Sequence, residues 1–479
     1  MILRASCSLV LLSTTLLTAC SGSPSAATTG TGGASSTTST ASTSLTSGDG
    51  GAGTTASTSG SGGAGGSSGT GGTSTTGAGG GGPTIPAVPF GSHIAPYAAG
   101  SALPDVVTAA ALDQATSNAY DTWRDKYLKA GCGDGRYYVN TKIDGNNLTV
   151  SEGHGYGMML SAIMAGHDPD AHAHFDGLYR FFRDHPSASS PDLMSWYQDT
   201  SCNDAMGNDS ASDGDIDIAF ALLLADKQWG SCEDIDYKAE GLKVIQAIAA
   251  HVLDGSHGYV LLGDWASPGD AKYYNATRSS DFITDHFRSF GAASGAPLWG
   301  GLVDSTYGIV KALRDGYSPG KGLLPDFVTS PLSGPKPAPQ SFLEGPNDGA
   351  YHYNACRDPL RLGTDFLVSG DPRAAAEVNA LTGWIEGKTG GDPTKIRAGY
   401  QLDGTPSAGS DYPTMAFIAP FGVAAMADGN HKAWLNSLWT TIAAAPAEGY
   451  YEDSIRLLSM VVMSGNWWSP ESRPVVCAP

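Results

Sequence analysis

The stretch Ala211–Trp229, ASDGDIDIAFALLLADKQW, decides how the rest of the chain is read. Three carboxylates, Asp213, Asp215 and Asp217, stand just before a run, Ile218 to Ala225, that has no wide polar face. Ser212 and Asp215 have the form of a capping box, so a helix is expected to begin here. A helix that is apolar on almost every side belongs among other helices rather than on a surface. The acids would then sit at the mouth of a packed core. Taken alone, the pattern also fits a buried helix whose acids only complement the helix dipole.

Upstream lies a second acid-led helix start, Ser151-Glu152-Gly153-His154-Gly155-Tyr156-Gly157. Two opposed carboxyl groups are what glycosidic bond hydrolysis needs. Together, SEGHGYGM and ASDGDIDIAFALLLA resemble glycoside hydrolase family 8 in order and separation. The resemblance extends over essentially all of Pro83 to Pro479.

Ahead of that region the chain is of another kind. Met1 to Cys20 holds an early Arg4, an apolar run and the ending Leu17-Thr18-Ala19-Cys20, which is too short to span a membrane and reads as an export signal. The ending resembles a bacterial lipobox, which would leave Cys20 lipidated; ordinary signal cleavage nearby is the alternative. Residues 21–82 are almost entirely Gly, Ser, Thr and Ala, with Asp49 the only charge. Such a segment builds no core and reads as a tether with a reach of about 40–45 Å. Residues 83–479 then form the catalytic domain. The protein is expected in the cell envelope or outside the cell, as a monomer, with membrane contact only through the lipid.

Lys and Arg number 27 against 47 Asp and Glu, a formal charge of −20, which argues against nucleic acid and anionic lipid as partners. A polysaccharide fits, and a cationic one would be attracted. Cys132, Cys202, Cys232, Cys356 and Cys477 remain after Cys7 and Cys20, an odd number, so at least one is free or pairs outside the chain. A Cys202–Cys232 bridge is one option. No spacing suggests a metal site, and no cofactor is expected. His172 and His174 read as solvated helix surface.

Helical periodicity recurs about a dozen times beyond Pro83, at Asp105–Leu128, His154–Ala165, Asp170–His185, Asp215–Gln228, Asp236–Leu253, Asp281–Phe290, Asp304–Asp315, Ala355–Val368, Pro372–Glu386, Thr414–Ala427, Lys432–Ala445 and Glu452–Met463. An all-α domain follows. The resemblance implies that these are six inner and six outer helices of an (α/α)6 barrel. Short β-like pieces fall in the loops at Met194–Gln198, Gly258–Leu262 and Arg397–Leu402.

By resemblance Glu152 is the general acid. A helix N-terminus lowers a carboxyl pKa, whereas an acid must hold its proton, so burial and the charge of Asp213 are expected to push Glu152 back up. Asp213 would also stabilise the oxocarbenium-like transition state, with Asp209 supporting the pocket. Many members of the family carry a base Asp in a motif like YDAxRxPWR. Here the segment is Tyr353-Asn354-Ala355-Cys356-Arg357-Asp358-Pro359-Leu360-Arg361, and an amide at Asn354 cannot be a base. Either the chain is an inactive glycan-binding lipoprotein, or the base comes from elsewhere. The loop Pro331–Gly349 offers Ser341-Phe342-Leu343-Glu344-Gly345-Pro346-Asn347-Asp348, which resembles the subfamily of chitosanases and β-glucanases whose base Glu is loop-borne.

Glu344 is therefore the expected base, with Asp348 next in line and an ordinary solvated loop Glu as the alternative. A loop-borne base invites closure over bound chain. Arg278, in Arg278-Ser279-Ser280-Asp281-Phe282, fits the same subfamily, and Asn354, Arg278, Trp196, Trp265 and Tyr273 are candidate substrate contacts. Two departures from the family stand out. His154 replaces a usual Gln and would alter the acid's titration, and Leu360 replaces a Trp as packing or as a lost sugar platform. The implied reaction is endo-acting, inverting hydrolysis of a β-1,4-linked glycan, chitosan or β-glucan.

Overall fold

The computed structural model describes residues 85–473. The export signal with Cys20, the 21–82 tether and Cys477 lie outside them.

Thirteen α-helices occur among the described residues: α1 Ala109–Tyr127, α2 Ser151–Ile163, α3 Ala171–Asp184, α4 Ser212–Gln228, α5 Tyr237–His251, the one-turn α6 Ala271–Tyr274, α7 Thr284–Ser294, α8 Leu298–Tyr317, α9 Asp358–Ser369, α10 Pro372–Thr389, α11 Met415–Ala425, α12 Lys432–Ala444 and α13 Tyr450–Met463. Each of the twelve periodic stretches is one of the twelve longer helices. Packing sorts them into two rings. α2, α4, α7, α9, α11 and α13 touch in that order and close on α2, while α3, α5, α8, α10, α12 and α1 pack outside them. The fold is the (α/α)6 barrel.

Burial follows from that sorting. The inner α4 is buried along its whole length apart from Lys227, and α11, MAFIAPFGVAA, is buried throughout. Outer helices such as α3 bury one stripe only: Ala171, Phe175, Gly177, Leu178, Phe181 and Phe182. α2 and α4 approach closely, and two glycines permit it. A Cβ on Gly155 would stand 2.6 Å from the Asp217 Cβ, and one on Gly214 would meet Ser151 at 2.4–2.7 Å. Helical glycine costs roughly 0.5–1 kcal/mol against alanine, and here it brings the Glu152 and Asp213 turns together.

Short antiparallel strands dress one mouth of the barrel. β1 Leu128–Ala130 pairs with β2 Tyr137–Val139, and β3 Asn147–Val150 pairs with β4 Tyr197–Asp199 and runs straight into α2. β5 Ala276–Arg278, β6 Phe327–Thr329 and β7 Lys336–Pro337 make a third sheet, with Arg278 opposite Phe327. Of the expected β-like pieces only the first is a strand, shifted to Tyr197–Asp199; the other two make isolated bridges at Val260 and Tyr400.

Several expectations are overturned. α4 has no side-chain cap: the Ser212 hydroxyl donates to the Leu261 carbonyl and Asp215 accepts from the Met194 N–H at 2.9 Å, so neither is left for a capping box. Cys202 is bridged to Cys132, not to Cys232, and Cys356 is a free, buried thiol. His172 stacks on Trp229 at 4.6 Å and His174 bonds Asp168 at 3.0 Å, so both are packed rather than solvated. No helix among the described residues is long and apolar enough to cross a membrane.

Candidate active site

Glu152 and Asp213 occupy the first turns of the inner helices α2 and α4. One atom joins them: Arg357 Nη1 lies 2.8 Å from Glu152 Oε2 and 2.8 Å from Asp213 Oδ2. Arg357 closes the 3-10 turn Ala355–Arg357 that leads into α9 and is itself 2% exposed. Its other nitrogen, Nη2, donates to Ser280 Oγ at 2.9 Å and to Asn354 Oδ1 at 3.1 Å. Tyr450, the first residue of α13, donates to Glu152 Oε1 at 3.1 Å.

Burial drives the Glu152 carboxyl up to about 7; Arg357 pulls it back, and the charge of Asp213 raises it again. Burial raises Asp213 as well, but Arg357 and Arg278 more than offset this and hold it below the usual carboxylate range. Between the usual carboxylate range and about pH 7, two acids on one guanidinium nitrogen thus take opposite protonation states, the separation that acid catalysis needs. Sequence reasoning foresaw burial and Asp213 as the causes. It missed the opposing cation, Arg357.

His154, expected to tune the acid, faces away from it. Its Nε2 bonds the Leu178 carbonyl at 3.0 Å, its ring stacks on Phe181, and burial drops the imidazole to about 3. Leu360 is buried in the core and serves packing.

The Pro331–Gly349 loop carries Glu344 into the same site. Asn354 Nδ2 donates to Glu344 Oε2 at 2.8 Å, and Arg278 bridges the two acids, with Nη1 3.5 Å from Asp213 Oδ2 and Nη2 3.8 Å from Glu344 Oε1. Burial raises Glu344 above the usual carboxylate range, and Arg278 and the Asn354 amide offset this only in part. Glu152 and Glu344 keep 17% and 14% side-chain exposure, whereas Arg357 and Asp213 are shut away at 2% and 4%.

The loop is pinned rather than poised to close. Asp348 accepts the backbone N–H of Leu343, Glu344 and Gly345 at 2.7, 3.0 and 2.8 Å, and its own carbonyl accepts from Phe327 in β6. Phe342 buries itself in a small apolar cluster with Leu262, Ala276, Phe327 and Ala338. Lys272 donates to the Phe342 carbonyl at 2.8 Å. Asp348 is therefore committed to holding the loop and is not available as a base.

The remaining candidates fall on two flanks. Trp265 and Tyr273 meet edge to face at 5.3 Å, and Tyr273 touches Phe342 at 5.4 Å, so both belong to the loop's side. Trp196 is half-buried and its carbonyl accepts the Ser151 N–H; Asp209 sits beside it through the Trp196 N–H to Asp209 carbonyl bond. Asn354 is only 6% exposed and has both ends of its amide engaged by protein, which removes it as a sugar contact.

Sequence reasoning gave no role to Arg357, Tyr450, Ser280 or Asp326, although Arg357 lay within the quoted motif. Asp326 Oδ1 accepts the N–H of His352, Asn354 and Ala355 at 2.9, 3.2 and 2.8 Å, and burial pushes its carboxyl up to about 8. Among the described residues no group of three or more His, Cys, Asp or Glu could hold a metal.

Residues 95–465 match the family model for glycosyl hydrolases family 8. A beta-glucanase of Niallia circulans is 49% identical over 383 residues, covering 80% of this chain and 91% of that protein. An endoglucanase of Bacillus sp. strain KSM-330 is 39% identical over 377 residues, covering 77% and 79%. The apo structure of a beta-1,3-1,4-glucanase from Paenibacillus sp. X4 superposes with a TM-score of 0.77 at 46% identity, covering 81% of this chain and all of that one. With that match over its helical region, and an acid pair shared by one guanidinium, the chain belongs to glycosyl hydrolases family 8 and is a glycoside hydrolase.

Proposed function

We propose that the protein is an endo-acting, inverting hydrolase of β-1,4-linked glucan, with mixed-linkage β-glucan its first substrate and chitosan the second to test. The relatives described above are glucanases, which favours glucan. One observation carries the chemistry: Glu152, raised to about 7 and so able to keep its proton below neutrality, and Glu344, held by Arg278 and Asn354, are both partly exposed and are linked through Arg357 and Asn354. Glu152 protonates the glycosidic oxygen as the bond to the anomeric carbon breaks. Glu344 takes a proton from the water that attacks the opposite face, and Asp213 offsets positive charge on the sugar ring. Trp196, Trp265 and Tyr273 offer ring faces to the chain.

Reducing-sugar release from lichenan, carboxymethyl-cellulose, chitosan and xylan tests this beside Glu344→Gln. Turnover on lichenan should fall by about 10²–10⁴ in the variant. Undiminished turnover would remove Glu344 as base, and a folded protein silent on all four polymers would favour the glycan-binding reading. An α-configured anomer in the first product, seen by NMR, would support inversion; a β anomer would refute it.

We place the protein outside the cytoplasm, monomeric, tethered by 21–82 to a lipidated Cys20. Labelled palmitate that enters Cys20→Ala as well as it enters the parent would refute the anchor.

A further inference from the structure

Asn354 stands between acid and base with a fixed orientation. Arg357 has only N–H groups to give, so the Asn354 atom 3.1 Å from Nη2 is the amide oxygen. The NH₂ end must then point the other way, 2.8 Å from Glu344 Oε2. The backbone around it is held too, because the N–H groups of His352, Asn354 and Ala355 all donate to Asp326. The result is a one-way chain of donors that begins at the guanidinium bonded to Glu152 and ends on Glu344.

We propose that Asn354 is a positioning residue for the reaction: its amide, oriented by Arg357, aims the Glu344 carboxylate and favours its ionised form. The proposal rests on the reading of Glu344 as base. The titratable groups around that carboxylate are Arg278 from β5, Asp348 from its own loop, Arg357 from the turn before α9 and Asp326 just ahead of β6. Arg278 and Arg357 favour the anion and Asp348 opposes it, while burial, helped by the Glu344 charge itself, pushes Asp326 up to about 8. Asn354 is the neutral donor in direct contact. A carboxylate in its place would still accept from Arg357 but would repel Glu344.

The test compares kcat and kcat/KM against pH on lichenan for the full chain, Asn354→Ala, Asn354→Asp and Glu344→Ala, with thermal melts to check folding. A base works only when ionised, so losing the amide donor should move the acidic limb to higher pH. Asn354→Ala should lose about 10- to 100-fold in kcat, with KM changed less than about threefold. Asn354→Asp should move the acidic limb further up, because two carboxylates then adjoin.

Added azide should restore Glu344→Ala, by attacking in place of activated water and giving the inverted glycosyl azide, but should not restore Asn354→Ala. An unmoved acidic limb in both Asn354 variants, or a loss confined to KM, overturns the proposal. If Asn354→Ala does not fold, an unmoved limb in Asn354→Asp alone overturns it. Full activity in Glu344→Ala would instead sink the assignment of the base, a separate failure.

Discussion

Two ion pairs cross the barrel one helical turn apart, and their surroundings give them opposite characters. Asp213 with Arg357 forms the upper pair; Asp217 with Arg361 forms the lower. In the lower pair both carboxylate oxygens are met, although the buried Arg361 Nε has no hydrogen-bond partner among the described residues. Arg361 donates to both Asp217 oxygens at 3.0 and 2.6 Å, His286 Nε2 lies 3.1 Å from Oδ1, and the Phe220 ring covers His286 at 3.7 Å. Despite burial, Arg361 and His286 keep Asp217 below the usual carboxylate range. In the upper pair a surplus acid, Glu152, shares the guanidinium and stays partly exposed. A guanidinium paired with one carboxylate holds structure, whereas one shared by two competing carboxylates lets one of them keep its proton to higher pH.

The comparison breaks most visibly through Glu152→Gln, which removes the surplus acid. Activity should fall by about 10²–10⁴ while the urea midpoint stays put, since the upper pair survives. An active variant would mean that the upper site is as structural as the lower.

Arg361→Met attacks the other side of the comparison. It leaves Asp217 buried without its main partner and should cost about 3–5 kcal/mol in urea unfolding. A parent-like midpoint would show that the lower pair holds nothing together.

A subtler change sharpens the upper pair alone. As the proposed acid, Glu152 must be protonated to act, so kcat/KM should fall as pH rises through about 7. Asp213→Asn removes a charge that keeps the proton on, so this basic limb should shift to lower pH by about one unit. A shift to higher pH would contradict the electrostatic account of the acid.

The helices were legible because burial on one side or on all sides leaves a periodic trace, and α4 and α11 show it without interruption. Element starts were less legible. α7 begins at Thr284 rather than Asp281 because Ser279–Asp281 is a 3-10 turn buried in the site, and α8 begins at Leu298, six residues before Asp304, its first turn carrying no acid to mark it. The carboxylates were nameable from motifs and from the chemistry they must do. Their partners were not. Arg357 and Glu152 are 205 positions apart, and only closure of the ring puts them at 2.8 Å.

By itself, then, the sequence determined the alternation of helices, the two acid-led helix starts and the impossibility of a base at Asn354, since these depend on local periodicity and on side-chain chemistry. Only the tertiary structure decided that Cys202 joins Cys132, that Asp348 serves the loop rather than the reaction, and that Arg357 splits the two acids. Each of those outcomes is a competition among neighbours remote in sequence, and which neighbour wins is set by distance and burial.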